Sequence, residues 1–599
     1  MSITHASPLP PHQVNDLSSE SSGPARRQSS SGFEVVAGIQ EFGVHPRLEI
    51  RQLEKDVAQF NIYLLGLARF QATDQSEKLS YYQIAGIHGR PYIPWDGVGQ
   101  GAGPGDPGYC MHVSNIFLPW HRPYMALYEQ VLYQHIVEAV NEFPAGAVRQ
   151  RYAAAALSWR HPYWDWAADP PVGESVFPDS LGSPFINVTM PNGTMAIANP
   201  LYSYEFHPLS VSDFYYSPFA EWNVTMRDPS DWSAAAYPQD NLVGPALDNS
   251  RVSFQDRLYN LFTNYNNFSE FGNEAWMSPS VGNADSLESI HDAIHSITGS
   301  AGHMTYLDYS AFDPLFWLHH AMIDRCFALW QAIYNESYVE PMAALDQTFA
   351  FNPGQVLDVN TPLLPFHSDV NGGFWTAASA RSPATFGYTY SDLGNGSVSA
   401  VMANVNKLYG NTASSDGLSR RTMKREPPTE ANPGIQAPEE VVDGRHKEYL
   451  ANIVSQKFAL TGSYAIYIFL GLFDDTPNAW PLSPNLVGTH AVFATLGGMQ
   501  NSALPVTGTV PLTSALLAKV HAGELPCMDV ATVTAYLHEN LEWRVGLFDG
   551  TGVPTTELAD LMITVVSAEV EPAESAEQFP RWGDFTVLTN VTEGKAGGC

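Results

Sequence analysis

Two apolar stretches that carry histidines decide the fold of the central part of the chain: Leu287-Glu-Ser-Ile-His-Asp-Ala-Ile-His295 and Phe312-Asp-Pro-Leu-Phe-Trp-Leu-His-His320. In the first, His291 and His295 are four residues apart, and this spacing puts both imidazoles on one face of a helix. In the second, His320 lies within an apolar run of helical length. Both stretches therefore predict helices that can present imidazoles to one metal ion.

Three further histidines stand earlier in the chain, in aromatic and glycine-rich surroundings. They are His88 in Ala-Gly-Ile-His-Gly, His112 in Tyr-Cys-Met-His-Val and His121 in Leu-Pro-Trp-His-Arg. A lone histidine is more often a hydrogen-bonded core residue, but two trios favour metal sites built between helices. Imidazole ligands suit copper, zinc, iron or nickel. The zinc protease signature needs Glu after the first histidine of a His-x-x-x-His pair, and Asp292 stands there instead.

Composition excludes several classes of protein. The 599 residues are 44% hydrophobic and 15% charged, so the chain can bury large cores and form more than one domain. The formal net charge of −33 argues against nucleic acid or an anionic membrane as a partner. The absence of an apolar run of 18 residues predicts no membrane span. Four cysteines are too few for a disulfide framework.

The compartment remains open between two interpretations. Residues 1–32 are polar and are expected to be a disordered leader without a secretory signal, which makes a cytoplasmic location the default. Seven N-x-S/T sequons and dibasic pairs favour the endomembrane lumen or secretion instead.

The remaining sequence divides into a helical part and a β-rich part. Residues 33–410 are expected to form a mainly α domain with a four-helix-bundle core and long loops, especially over 168–250. Residues 411–440 have the composition of a linker, and 441–599 are expected to form a β-sandwich-like domain. The individual elements expected are a short strand from Phe33, helices over 48–70, 122–143, 286–298 and 313–335, and strands over 463–469 and 561–566.

Over roughly 40–340 the chain resembles the tyrosinase and catechol oxidase family, specifically the fungal tyrosinases, and Tyr409-Gly410 resembles the end of that family's catalytic domain. The C-terminal part resembles the fungal lid domain less specifically. The stretches that carry the resemblance run in family order: Gly86-Ile-His88-Gly, Cys110-Met-His112, Phe117-Leu-Pro-Trp-His121-Arg122, Pro162-Tyr-Trp-Asp165-Trp, Leu287 to His295, and Gly302-His-Met through Phe312 to Arg325.

The resemblance implies a type-3 pair of copper ions as cofactor, with phenols and O2 as substrates. The first ion would be held by His88, His112 and His121, and the second by His291, His295 and His320. His319 would be a neighbour of the second ion, because the family's spacing favours the second histidine of the pair.

Several other residues receive roles from the same resemblance. Cys110 would form a thioether with the ring of His112. Glu288 would hold a water that helps to deprotonate a monophenol, together with position 292. The family usually has Asn at that position, and this chain has Asp292. The expected pocket residues are Met304 nearby, Leu307 at the gate and Phe316 over the metals.

The family implies copper-dependent oxidation of phenols and catechols to o-quinones, in a melanin or pigment pathway. The resemblance also implies a latent proenzyme whose lid places an aromatic residue in the copper pocket. The linker contains Arg420-Arg421 and Lys424-Arg425, so a kexin-type protease is expected to cut after Arg421 or Arg425. One alternative is a catechol or o-aminophenol oxidase with little monophenolase activity. An oxygen carrier of haemocyanin type is a weaker alternative.

Overall fold

The computed structural model describes residues 32–101, 108–410, 445–497, 503–558 and 560–599. The expected linker, with Arg421 and Arg425, lies outside these residues, as does the expected leader apart from residue 32. Among the described residues, no helix combines the length and apolar character that crossing a membrane requires.

The N-terminal part is mainly helical, and three helices of the C-terminal part, α13 to α15, follow it in the numbering. The helices are α1 Ile50–Lys55, α2 Val57–Gln71, α3 Tyr81–Ala85, α4 Phe117–Glu142, α5 Ala147–Ser158, α6 Asp179–Gly182, α7 Val211–Phe214, α8 Asp240–Asn264, α9 Phe268–Gly272, α10 Leu287–Gly299, α11 Leu315–Ile333, α12 Val398–Tyr409, α13 Thr513–His521, α14 Val530–Asn540 and the short α15 Thr589–Thr592. Single 3-10 turns include His303–Thr305 and Ser310–Phe312.

The strands fall into small ribbons in the N-terminal part and two larger sheets in the C-terminal part. They are β1 His45–Arg47, β2 Phe185–Met190, β3 Gly193–Ala198, β4 Met342–Ala343, β5 Val356–Leu357, β6 Pro362–His367, β7 Phe374–Thr376, β8 Tyr388–Tyr390, β9 His446–Gln456, β10 Tyr464–Leu470, β11 Leu486–Val492, β12 Pro505–Pro511, β13 Leu541–Leu547, β14 Gly552–Val553, β15 Met562–Glu571, β16 Arg581–Trp582 and β17 Thr586–Val587.

The helical core gathers the histidine-bearing helices around one buried point. Helix α11 packs against both α4 and α10, while α2 packs along α4 and α8 packs along α10. Every residue of α10 is buried, and so is α11 over most of its length, because protein surrounds these two helices on all sides. The predicted helical fold of this part is confirmed.

Two local expectations differ from the structure. The strand expected from Phe33 is only a single bridge between Val35 and His367. The region 168–250 holds the β2–β3 hairpin and the first turns of α8, a 25-residue helix that begins at Asp240. Polar residues and Pro245 interrupt the apolar pattern of α8, so its sequence resembles a loop although packing against α10 makes it a helix.

The C-terminal part is an antiparallel sandwich, here called the lid. One sheet has the strand order β11-β10-β13-β14, and the other has β12-β9-β15-β16 with β17 also paired to β15. Strand β10 is buried on both faces: Tyr464, Ile466 and Ile468 enter the sandwich core, whereas Ala465 and Phe469 join the core of the helical part. This double burial explains its uninterrupted apolar sequence.

A buried carboxyl group joins the two helices that carry histidines from different trios. Asp324 on α11 accepts a hydrogen bond from Arg122 Nε on α4 at 2.7 Å and from the Tyr388 and Tyr390 hydroxyls at 2.7 and 2.6 Å. Its Oδ2 lies 3.5 Å from Arg47 Nη1. The guanidinium groups outweigh the effect of burial and lower the pKa of Asp324.

Candidate metal centre

The second trio of histidines converges through its Nε2 atoms. His291 and His295 project from successive turns of α10, and His320 projects from α11. The Nε2 atom of His320 lies 3.2 Å from that of His291 and 3.3 Å from that of His295. Nitrogens about 2 Å from a common ion are separated by roughly these distances. The trio therefore has the geometry of ligands around one metal ion.

The first trio forms a near-equilateral triangle. His88 lies in the turn after α3, His112 in the following loop and His121 in the second turn of α4. Their ring centroids are 5.8, 5.9 and 6.1 Å apart. The buried Nε2 atoms of His88 and His112 have no hydrogen-bond partner among the described residues. A bound ion would satisfy these two lone pairs, so the trio fits a metal.

Backbone carbonyl groups orient three of the six rings through Nδ1, the ring nitrogen that is not the candidate metal ligand. Such a bond fixes the tautomer in which Nε2 has a free lone pair. The Nδ1-to-oxygen distances are 3.2 Å for His88 to Leu307, 2.8 Å for His121 to Phe117 and 3.0 Å for His295 to Met304.

The two trios face each other and exclude water. The rings of His121 and His320 are stacked with centroids 4.5 Å apart, and those of His112 and His291 are 5.4 Å apart. Burial lowers the pKa of each of these imidazoles, to about 3 for His121. All are therefore neutral near pH 7, which is the form that binds metal.

The adjacent residues His319 and His320 make different contacts. His320 joins the convergent Nε2 atoms, whereas the ring of His319 is stacked on His291 at 5.1 Å and also neighbours Trp166. A ring nitrogen of His319 also lies within 4.8 Å of those of His291, His295 and His320, so the choice of His320 as the ligand stays a prediction.

Glu288 lies beside the first trio, although it belongs to the helix of the second. Its carboxyl group accepts hydrogen bonds from the backbone N–H groups of Val113 at 2.6 Å and Glu274 at 3.1 Å. Its Oε1 lies 3.4 Å from His112 Nδ1. Val113 has a φ of 48°, which is strained for a β-branched residue and aims its N–H at this carboxyl group.

Asp292 lies beside the second trio. Its Oδ1 accepts a hydrogen bond from His291 Nδ1 at 2.8 Å, and its Oδ2 accepts one from the backbone N–H of Phe493 at 3.2 Å. Burial is the main cause that raises the pKa of both Glu288 and Asp292 above that of an exposed carboxyl group.

The expected pocket residues surround the same centre. The Phe316 ring is stacked on His320 at 3.9 Å and lies 4.9 Å from His88. Met304 and Leu307 lie on the turn below α10 and contribute the carbonyl groups that hold histidine rings. Leu307 also donates its N–H to Ala494 O of the lid at 3.2 Å, so in this form the lid covers the expected gate.

Cys110 belongs to the first cluster. Its Sγ lies 3.3 Å from His121 Nε2, and its thiol is free in the structure. The potential ligand atoms of Cys110, His112, His121 and His88 all lie within 4.8 Å of one another.

Sequence reasoning did not identify the lid residue that enters the centre, and the structure shows that it is Phe493. This residue directly follows β11, and its ring is stacked on His295 with centroids 4.4 Å apart and an interplanar angle of 19°. It also lies 5.4 Å from the ring of His112 and 5.8 Å from that of His291. One aromatic ring thus touches both trios.

Sequence reasoning also missed two charged residues near the centre, Lys457 and Glu274. Lys457, just after β9 in the lid, is buried and places its Nζ 2.8 Å from Glu274 Oε1 and 3.8 Å from Asp292 Oδ2. Neither residue forms a recognisable motif with its sequence neighbours, because the two come together only when the two domains dock.

Comparison with known proteins agrees with both domains. The model described as the common central domain of tyrosinase matches residues 78–333, and that of the tyrosinase C-terminal domain matches 448–565. The tyrosinase of Neurospora crassa is 33% identical, covering 92% of this chain and 95% of the relative. The tyrosinase of Podospora anserina is 36% identical over 82% of this chain and 95% of its own length.

Solved structures agree with the same assignment. A crystal structure of latent and active mushroom tyrosinase is 26% identical, with a TM-score of 0.77 over 92% of this chain and 98% of that chain. The apo-protyrosinase of Aspergillus oryzae shares the fold at 22% identity, with a TM-score of 0.70 over 92% of this chain and 98% of that one. The family carries a type-3 dicopper centre, which the two buried histidine clusters fit. The chain belongs to the tyrosinase family and is an enzyme of the polyphenol oxidase type.

Proposed function

We propose that this enzyme oxidises phenols and catechols to o-quinones with O2, and that the described form is its latent proenzyme. The observation that carries the proposal is the ring of Phe493, which is stacked on His295 between the two trios. A flat aromatic ring is the shape of a phenol, so the lid occupies the place where a substrate ring would bind. In pigment-forming organisms such o-quinones polymerise to melanin.

In this proposal His88, His112 and His121 hold one copper, and His291, His295 and His320 hold the other. The bound copper pair supplies the exchange of two electrons between the phenol and O2. The protein fixes the ring orientations through backbone carbonyls and Asp292, and it excludes water from the centre.

Asp292 and Glu288 are the candidates for moving the phenol proton. In the latent form the lid occupies Asp292 Oδ2 through the N–H of Phe493 and the Lys457 ammonium. Departure of the lid frees this oxygen beside the substrate ring, where it can accept a proton. Glu288 positions the His112 loop through Val113 and holds a basic carboxyl group behind the first trio.

Activation requires the lid to leave or loosen. Buried contacts between domains oppose this: Thr507 donates its N–H to Glu274 O at 2.9 Å, and Asn452 Nδ2 donates to Val281 O at 2.7 Å. A cut by a kexin-type protease after Arg421 or Arg425 would remove the covalent tether and leave the lid held by non-covalent contacts such as these.

Copper content tests the ligand assignment. His88→Ala and His295→Ala are each expected to bind about one copper per chain instead of two and to lose catechol oxidation, because each removes a nitrogen from a different ion. Elemental analysis and O2 uptake measure both effects. The control is His303→Ala, which removes a buried histidine outside both trios and should retain two coppers. Full activity in either ligand variant would contradict the assignment.

The thioether is tested by peptide mapping. Cys110 and His112 are expected in cross-linked peptides that have lost two hydrogens after the protein is loaded with copper in air. Cys326 is the matched control, since it is also a buried free thiol but lies outside the cluster. Quantitative alkylation of Cys110 in the unfolded, copper-treated protein would show that the bond is absent.

Proton transfer is tested with Glu288→Gln in the linker-cut protein. We expect monophenol hydroxylation to fall at least about tenfold more than catechol oxidation, because only hydroxylation needs the additional proton removed. Glu270→Gln, an acidic residue outside both histidine clusters, serves as the control. Equal losses on both substrates would make Glu288 structural, and catechol turnover with little hydroxylation in the parent enzyme would favour the catechol oxidase alternative.

Latency is tested in two ways. Trypsin is expected to cut near Arg421 and Arg425, release residues 426–599 and raise catechol turnover several-fold.

Phe493→Ala should raise turnover in the uncut chain, because it empties the place of the substrate ring. Phe473→Ala removes another lid aromatic ring, which is stacked on Phe469, and should leave the chain latent. An intact parent enzyme as active as the cut one would overturn latency.

A further inference from the structure

Three buried carboxyl groups line one side of the metal centre. Glu274, Glu288 and Asp292 are fully buried, and the backbone N–H of Glu274 binds Glu288. Such a group of acids is costly in a protein interior unless a cation accompanies it.

The cation that accompanies them belongs to the lid. Lys457 Nζ lies 2.8 Å from Glu274 Oε1 and 3.8 Å from Asp292 Oδ2. When the lid leaves, its ammonium leaves with it, and the acids remain on the catalytic domain.

The carboxyl group of Glu274 contacts both a cation and a second acid. Its Oε1 accepts a hydrogen bond from Lys457 Nζ at 2.8 Å, and the carboxyl group also lies within hydrogen-bonding reach of the Asp292 side chain. The two carboxyl groups therefore adjoin each other at the point where the Lys457 ammonium binds.

The ammonium and the aromatic ring of the lid enter the same place together. Asp292 Oδ2 lies 3.8 Å from Lys457 Nζ and 3.2 Å from the N–H nitrogen of Phe493, whose ring is stacked on His295. An aromatic ring at the metals and an ammonium beside Asp292 and Glu274 are also the two parts of an aromatic amine with a short alkyl spacer.

We propose that Glu274 and Asp292 form an ammonium subsite of the substrate pocket, so that the activated enzyme selects phenols and catechols that carry a primary amine. This inference rests on the proposed function, because it names the substrate class for the same centre. In the latent chain Lys457 occupies the subsite as Phe493 occupies the ring site. Phenols with a carboxylate tail bring no ammonium to donate to these carboxyl oxygens and are disfavoured.

Binding at the subsite is tested in the intact chain without turnover. Lys457→Ala removes the ammonium and leaves room for a small one, so n-butylammonium is expected to raise the melting temperature of this variant by at least about 2 °C over sodium at equal ionic strength. The bulkier tetramethylammonium should not, since it has no N–H to donate. The parent chain is the matched control and should show no shift. Equal melting temperatures with butylammonium and sodium would overturn the subsite.

Substrate selectivity is tested in the linker-cut parent enzyme. This test of the subsite does not need the Lys457→Ala variant, so it holds even if that variant does not fold. We expect kcat/KM for 4-(2-aminoethyl)catechol to exceed that for 3-(3,4-dihydroxyphenyl)propionate at least about tenfold. In Glu274→Gln the ratio of the amine to neutral 4-methylcatechol should fall about fivefold. Equal values for amine and acid would refute the inference. Absence of 4-methylcatechol turnover would instead refute the proposed function, and the binding test would still decide on the subsite.

Discussion

The ion pair between Arg122 and Asp324 is the interaction on which the arrangement of the centre depends. Arg122 directly follows His121 on α4, and Asp324 stands one turn after His320 on α11, so their 2.7 Å hydrogen bond fixes one helix of each trio relative to the other. Two tyrosine hydroxyls satisfy the remaining oxygen of Asp324. A buried charge left without its partner is strongly destabilising, and this requirement keeps the two helices in one register.

Desolvation determines the chemistry of this centre. The six imidazoles are buried and neutral, and their ring nitrogens gather in two clusters, so folding prepares the ligands before a metal arrives. The cost of burying them is offset by carbonyl groups, by Asp292 and by the ions that they fit. The same dry surroundings raise the pKa of Glu288 and Asp292 and keep basic groups beside the place of the substrate.

The lid is matched to the centre by both shape and charge. Phe493 supplies a ring and Lys457 supplies a cation, and both reach Asp292. Around them, the backbone of β12 binds the loop that contains Glu274, and the outer face of β10 joins the helical core. The interface thus combines buried apolar area with ion pairing, which explains how a separate sandwich domain can close a pocket built by helices.

The sequence by itself determined the histidine-bearing helices and the succession of a helical and a β-rich part, because these depend on local spacing: an interval of four residues on a helix and alternation in strands. No local spacing brings His88, His112 and His121 together, and the assignment of that trio to one metal rested on the family resemblance. Helix α8 escaped prediction, since its polar sequence is helical only through packing. The tertiary structure alone decided which lid residues enter the centre and what they touch. Lys457 and Glu274 are separated by 183 residues, and Phe493 and Asp292 by 201. Contacts over such separations arise from the docking of finished domains, and a single buried lysine or phenylalanine leaves no periodic trace in the sequence that could reveal them.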